Sequence, residues 1–480
     1  MTTLTLDDPM NCFGVMKTAL SRVTRGLALL WVAGVLASCG SSEPLVSFST
    51  DFESGSIGVV TPLDAEGRAW QLALRDDNDN ASLPNSFRTW WHVRADHVPV
   101  GQSLRLEFSR LGFPYYFVPV YSYDGTRWQH FAESEVALVP GCVIAVPDSC
   151  RVVVTKRFDA PTVWIARTFP YTTRDLSTFL AELAPNPAVR IETLGLSPVL
   201  HKPLQLITVA DPAVSGPRKT VWIHARTHAA ETGPSFVLEG LIRSVLADDE
   251  LGRALRAHYV FRIVPMHNVD GAYVGNYRTN ASSINLENMW LNTQGTLLLD
   301  ANAPLENRLL NQLAMVPALQ DAAAPVVLAL NLHSSNSEPD TAPFFFPHFG
   351  SDPARYTPAQ RALWSKQIAF ITDVARYFDG RIEQPPADGG AGFLNSWFPE
   401  TWWWNHAQES VNAITLETTY GRAGFDHWIE PPDLRNLGVA VARAIRALAP
   451  QASGIAFKLP EPAPEPFRLP YKPQIYLERE

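Results

Sequence analysis

The sequence predicts an α/β domain whose mostly parallel or mixed sheet is covered by helices on both faces, preceded by an all-β sandwich. Three observations predict it. Before about residue 170, short alternating runs recur between turn signals with no strong helical period. From Thr173 onward, continuous apolar runs alternate with amphipathic helical ones, as in sheets buried on both faces. The composition, 46% hydrophobic and 18% charged over 480 residues, is that of a chain with real cores and excludes disorder along most of its length.

The N-terminal segment reads as an address. Residues 27–37 form an apolar run, shorter than the ~20 residues that span a bilayer. Lys17, Arg22 and Arg25 precede it and small residues follow, as in a secretory signal peptide. The run ends Leu36-Ala37-Ser38-Cys39, which resembles the lipobox of bacterial lipoproteins, whose cysteine is acylated. On this reading residues 1–38 are a signal peptide, Cys39 is the lipidation site and residues 39–46 are a tether. The expected location is the bacterial cell envelope, with the chain lipid-anchored to a membrane. Gly40 after Cys39 favours the outer membrane, facing the periplasm, in a Gram-negative source. A buried first helix is the alternative, and Met16 is an alternative start.

Residues 47–170 form the predicted sandwich, of about eight strands, with runs at 104–108, 115–121, 142–146, 151–154 and 162–165. Cys142 and Cys150 flank a Pro-Asp turn; in an oxidising compartment they form a disulfide, otherwise they stay reduced. The second domain is assigned to residues 171–452. It opens on a helix at 175–183, then places strands at 205–209, 220–223, 259–265, 326–332 and 412–416. Helices are expected at 235–246, 305–315, 358–377 and 432–448, and residues 453–480 form a Pro-rich tail. With 39 Lys and Arg against 48 Asp and Glu, a nucleic-acid partner is not expected. The 14 tryptophans suggest aromatic-lined surfaces, with core packing the commoner explanation.

The chemistry concentrates where buried strands end. The strand at 220–223 runs into His-Ala-Arg-Thr-His-Ala-Ala-Glu, placing His228 and Glu231 three apart. An imidazole and a carboxylate at that spacing face one way and can share a zinc ion. Open α/β sheets build their sites just past the carboxyl ends of strands. His333 ends a second apolar strand and completes a His-Glu-His set. Three protein ligands with a fourth position left open make a catalytic arrangement rather than a structural one. Glu417, ending the strand at 412–416, is the candidate general base, and Arg278 the candidate oxyanion partner.

These segments, in this order, resemble the zinc carboxypeptidases, and within them the cytosolic carboxypeptidase subgroup. The resemblance is carried by Ala225 to Thr232, Val264 to Gly271, Gly275-Asn276-Tyr277-Arg278, Asn331-Leu332-His333 and Thr415-Leu416-Glu417. At the front, Phe52-Glu53-Ser54-Gly55, Trp90-Trp91 and Phe169-Pro170-Tyr171-Thr172 match the subgroup's preceding sandwich. The resemblance implies a mixed eight-stranded sheet and one Zn2+ held by His228, Glu231 and His333. It also implies Glu417 as general base, Arg278 as carbonyl polariser and a peptide substrate.

One departure stands out. The family pattern Asp-Leu-Asn-Arg-x-Trp, whose Asn-Arg pair binds the substrate's terminal carboxylate, reads Asn285-Leu286-Glu287-Asn288-Met289-Trp290 here. Glu287 and Asn288 therefore occupy the substrate-binding positions, and a glutamate there disfavours a carboxylate. Arg226 and Arg422 are the candidates to replace the lost charge, and Trp397 with Trp402 to Trp404 are candidates to wall the pocket. The leading expectation is a zinc-dependent metallocarboxypeptidase cleaving an amide bond at or near a peptide C-terminus. The alternatives are a zinc amidase or deacylase acting on a cell-wall peptide, and a non-catalytic envelope binding lipoprotein.

Overall fold

The structure, a computed structural model, describes residues 45–448 apart from 114–117, 140, 144, 145, 147, 148, 337, 393 and 395. The signal-peptide segment, Cys39 and the Pro-rich tail lie outside the described residues. Among the described residues no helix is long and apolar enough to cross a membrane.

The front of the chain forms two five-stranded sheets. One orders Ser47–Ser49, His92–Asp96, Thr162–Ala166, Val120–Ser122 and Gln129–His130. The other orders Val60–Pro62, Ala69–Ala73, Ser103–Ser109, Val152–Arg157 and Val136–Leu138. Period-2 alternation explains the packing: Leu104, Leu106 and Phe108 all point inward and are fully buried, in one core with Trp91, Val93, Val163 and Ile165. Among the described residues there are ten strands where about eight were expected. Of the run at 115–121, residues 115–117 lie outside the described residues, and the strand there begins at Val120. Cys142 and Val143 are not in a strand, and Cys142 is bonded to Cys150.

Behind it, seven strands form one mixed sheet among the described residues, where the resemblance implied eight. Their order is Val189–Leu196, Pro203–Val209, Tyr259–Val264, Lys219–Ala225, Val326–Ser334, Asn412–Thr418 and Phe344–Phe346. The four strands from Tyr259–Val264 to Asn412–Thr418 run parallel, and the outer ones antiparallel. The central strands are buried along nearly their whole length, which is why they read as apolar runs.

The helix Pro358–Tyr377 starts with Pro358 behind the capping Thr357, whose hydroxyl accepts the Gln360 N–H. Gly233–Leu246 and Pro431–Ala447 cross closely because Gly240 and Gly438 lack side chains. A Cβ on either would strike the other helix's backbone, at Arg435 and Val237 respectively. The helix expected at 305–315 is α-helical over Leu305–Leu310 and widens to a π turn over Asn311–Met315. The widening comes just ahead of Pro317, which has no N–H to donate. Trp402 to Trp404 lie in the helix Pro399–Ala407.

Candidate active site

The parallel strands set the site by their register. Ala225 lies opposite Leu332, and His333 lies opposite Glu417. The ends of three parallel strands therefore bring the His228 turn, His333 and Glu417 to one edge of the sheet.

Past Ala225 the chain turns sharply. Arg226 takes a left-handed conformation, φ 61°, rare for a side chain of this size. Its guanidinium holds the turn it creates. Nε donates to the Ala229 carbonyl at 3.0 Å, and one terminal nitrogen to the Tyr171 carbonyl at 3.0 Å and Ser235 Oγ at 2.9 Å. Burial pulls its pKa down to about 10. Arg226 is thus a fully engaged structural cation, not a replacement for the missing carboxylate partner. Arg422, the other candidate, pairs with Glu133 and lies over the Trp428 ring.

His228, Glu231 and His333 come together as expected. His228 Nδ1 and His333 Nδ1 each lie 2.9 Å from a different oxygen of Glu231, and 3.0 Å from each other. The Ser334 amide donates to Glu231 Oε2 at 2.9 Å. All three residues are at most 2% exposed. Burial alone would raise the Glu231 carboxyl, but His228 and His333 outweigh it and hold the group well below the usual range. Burial pulls His228 down to about 4, helped by the nearby Arg278 charge. The donor set fits a zinc ion: two imidazole nitrogens and a carboxylate oxygen converge within 4.8 Å, and both Nδ1 atoms face the same point.

Glu417 is 1% exposed and sits across from His333. Arg278 is half-buried, its guanidinium 5.4 Å from the centre of the Phe87 ring. Its loop is bound to the ligand turn, since the Ala230 amide donates to the Tyr277 carbonyl at 3.0 Å. The other side of that loop is held by the N-terminal region. Asp77 accepts the amides of Tyr277, Arg278 and Thr279, and Asn78 donates to the Asn280 carbonyl.

The substrate-binding pair is placed differently from its reading. Glu287 is buried behind the ligands, with Oε2 3.1 Å from His333 Nε2 and Oε1 accepting Asn331 Nδ2 at 2.9 Å. Asn288 is exposed. Trp402 and Trp403 are core residues, within 2% of full burial and packed edge to face on each other, and Trp403 also packs against Trp222. They line the interior rather than a pocket wall. Trp397 is 39% exposed and gives its carbonyl to the Trp290 amide.

Sequence reasoning missed Asp77, Asn78, Asn285 and Glu400. Asn285 Oδ1 lies 3.2 Å from His228 Nε2, and Glu400 is buried on Thr415 beneath the base strand. Asn285 was visible as a departure from the family pattern; Asp77 lies in a polar run with nothing local to mark its role.

Comparison with known proteins agrees with this geometry. Residues 48–166 match the protein-family profile described as "Cytosolic carboxypeptidase N-terminal domain", and residues 177–298 the one described as "Zinc carboxypeptidase". The chain is 30% identical to cytosolic carboxypeptidase 6 of Mus musculus over 263 residues, 51% of this chain and 46% of that protein. It is 28% identical to the Homo sapiens protein of the same name over 260 residues, 51% of this chain and 49% of that one. The chain thus spans about half the length of these relatives. Among solved structures, a metallo-carboxypeptidase from Burkholderia cenocepacia superimposes with a TM-score of 0.66 at 22% identity, covering 84% of this chain and 98% of that one. A metallo-carboxypeptidase from Pseudomonas aeruginosa gives 0.64 at 21% identity with the same coverage. These likenesses show the fold.

Proposed function

Because the chain joins a cytosolic carboxypeptidase N-terminal domain to a zinc carboxypeptidase domain and is homologous to the cytosolic carboxypeptidases, we propose that it is a zinc-dependent hydrolase cleaving an amide bond at or near a peptide C-terminus. The observation that carries the reading is the convergence of His228, Glu231 and His333, with Glu417 opposite His333 in register on the adjacent parallel strand.

His228, Glu231 and His333 would hold the ion. Zinc, when bound, supplies a Lewis acid that polarises a carbonyl and lowers the pKa of water. Glu417 then takes the proton from the attacking water and passes it to the departing amine. Arg278 places a fixed positive charge where the carbonyl oxygen becomes negative. The nearly complete burial of the ligands and the base excludes bulk water and strengthens each of these interactions.

The lipobox-like Leu36-Ala37-Ser38-Cys39 supports a lipid-anchored form in the cell envelope. The absence of the Asn-Arg pair supports a second reading, in which the same residues cleave an amide whose substrate presents no free terminal carboxylate. A mass-spectrometric screen of free-acid and amidated peptide libraries tests both, using zinc-loaded protein beside Glu417→Gln. Residue-by-residue trimming of free acids supports the first reading, and cleavage of both classes the second. No cleavage by the native chain, or equal cleavage by Glu417→Gln, sinks the hydrolase proposal.

A further inference from the structure

Of the three positions of the family pattern Asp-Leu-Asn-Arg that differ in this chain, two lie against the ligands: Asn285 stands for the acid and Glu287 for the asparagine. Both side chains face the proposed metal ligands. Asn285 Oδ1 lies 3.2 Å from His228 Nε2, and Glu287 Oε2 lies 3.1 Å from His333 Nε2. One short turn, Leu286–Asn288 with its cap Asn285, therefore meets the outer nitrogen of both histidines.

An imidazole that offers one nitrogen to a cation must carry its hydrogen on the other, where an acceptor fixes the tautomer and the ring plane. The two acceptors here are not equivalent. Asn285 Oδ1 is fixed as an acceptor because it also takes the Glu287 amide N–H at 3.1 Å, so His228 leans on a neutral oxygen. His333 leans on a carboxylate. That carboxylate is itself held, its second oxygen accepting Asn331 Nδ2 at 2.9 Å. Asn331 lies two residues before His333 on the same strand, so both side chains lie on the same face of the sheet.

We infer that Glu287 is a positioning residue for the metal set: it orients His333 and gives that ring an anionic partner. The inference rests on the zinc reading above. It gives a physical reason for the departure from the family pattern, since a glutamate engaged by His333 and Asn331 is not presented to an incoming carboxylate.

The test is zinc affinity, measured by competition with a chromophoric chelator on the purified chain, with cobalt substitution as a spectroscopic readout. Glu287→Gln is expected to weaken zinc binding about 10- to 100-fold. The cobalt absorption band should shift, while the melting temperature of the zinc-free protein stays near that of the native chain. Adding Asn285→Asp to Glu287→Gln is expected to restore part of the affinity. Native zinc affinity and an unchanged cobalt band in Glu287→Gln overturn the inference. If that variant does not fold, Glu287→Asp keeps the charge at a shorter reach and should show a smaller loss; native affinity there overturns the inference equally. A native chain that takes up no zinc defeats the zinc reading itself, a separate outcome.

Discussion

The carboxylate of Asp77 accepts the main-chain N–H of Arg278 at 2.9 Å, across 201 residues of sequence and from the N-terminal region into the domain of the seven-stranded sheet. The same carboxylate takes the amides of Tyr277 at 2.6 Å and Thr279 at 2.8 Å. Asp77 is 4% exposed; burial raises its pKa, and the three amides and the Thr279 hydroxyl pull the other way. A buried carboxylate serving three consecutive amides fixes the path of that loop, and the Phe87 ring beneath the guanidinium fixes its outer end. The N-terminal region is thus part of the construction of the site.

It follows that Asp77→Asn, which leaves one acceptor oxygen for three amides, should lower kcat/KM about 10- to 100-fold with zinc affinity unchanged. Arg278→Ala should cost about 100- to 1,000-fold, as for loss of an oxyanion donor. If Asp77 acts through Arg278, the double variant is no slower than Arg278→Ala alone. Steady-state kinetics on the four proteins decides, and additive losses would show that Asp77 acts elsewhere.

How much was legible in the sequence follows from how local each signal is. The five central strands expected behind the sandwich were found within a few residues, because burial on both faces makes them continuous apolar runs. His228 and Glu231 were legible because three-residue spacing is local, and His333 and Glu417 because each ends such a strand. Phe344–Phe346 was missed because a three-residue edge strand has too little pattern to read. The Pro399–Ala407 helix was missed because three consecutive tryptophans blur the helical period. Glu287 was assigned to substrate by its place in a motif, but its direction is set by Asn331 and His333, more than 40 residues away in sequence. Asp77 needed a contact 200 residues distant.

Zinc binding should stabilise the fold as well as serve chemistry. An ion that binds only the folded chain adds RT ln(1 + [L]/Kd), about 4 kcal/mol at 1,000 times Kd. Stripping with a chelator should therefore lower the melting temperature by several degrees, and zinc should restore it. His228→Ala should melt near the stripped native protein and respond little to added zinc. Differential scanning calorimetry checks this; a melting temperature indifferent to zinc in the native chain would contradict the proposed ligand set.

Glu400 gives a pH-dependent prediction of opposite sign to the usual acidic residue. Its side chain is 2% exposed, and Thr415 Oγ1 donates to Oε1 at 2.7 Å. Burial, with the Glu287 charge adding to it, pushes its pKa up to about 7. The unfolded chain releases this proton at the ordinary value of 4.5. Between 4.5 and about 7 the folded state therefore binds more protons than the unfolded state, and stability falls as pH rises through that window. Below it both states are protonated and the residue costs nothing. Above it the full penalty is present, on the order of a few kcal/mol. Glu400→Gln keeps the shape and an acceptor for Thr415 without the charge. In zinc-free protein the variant should match the native chain near pH 4.5 and become progressively more stable toward pH 8. Urea unfolding at several pH values measures the difference. A stability gap that is flat with pH, or that widens toward acid, would show that Glu400 is ionised throughout and held by partners rather than opposed by burial.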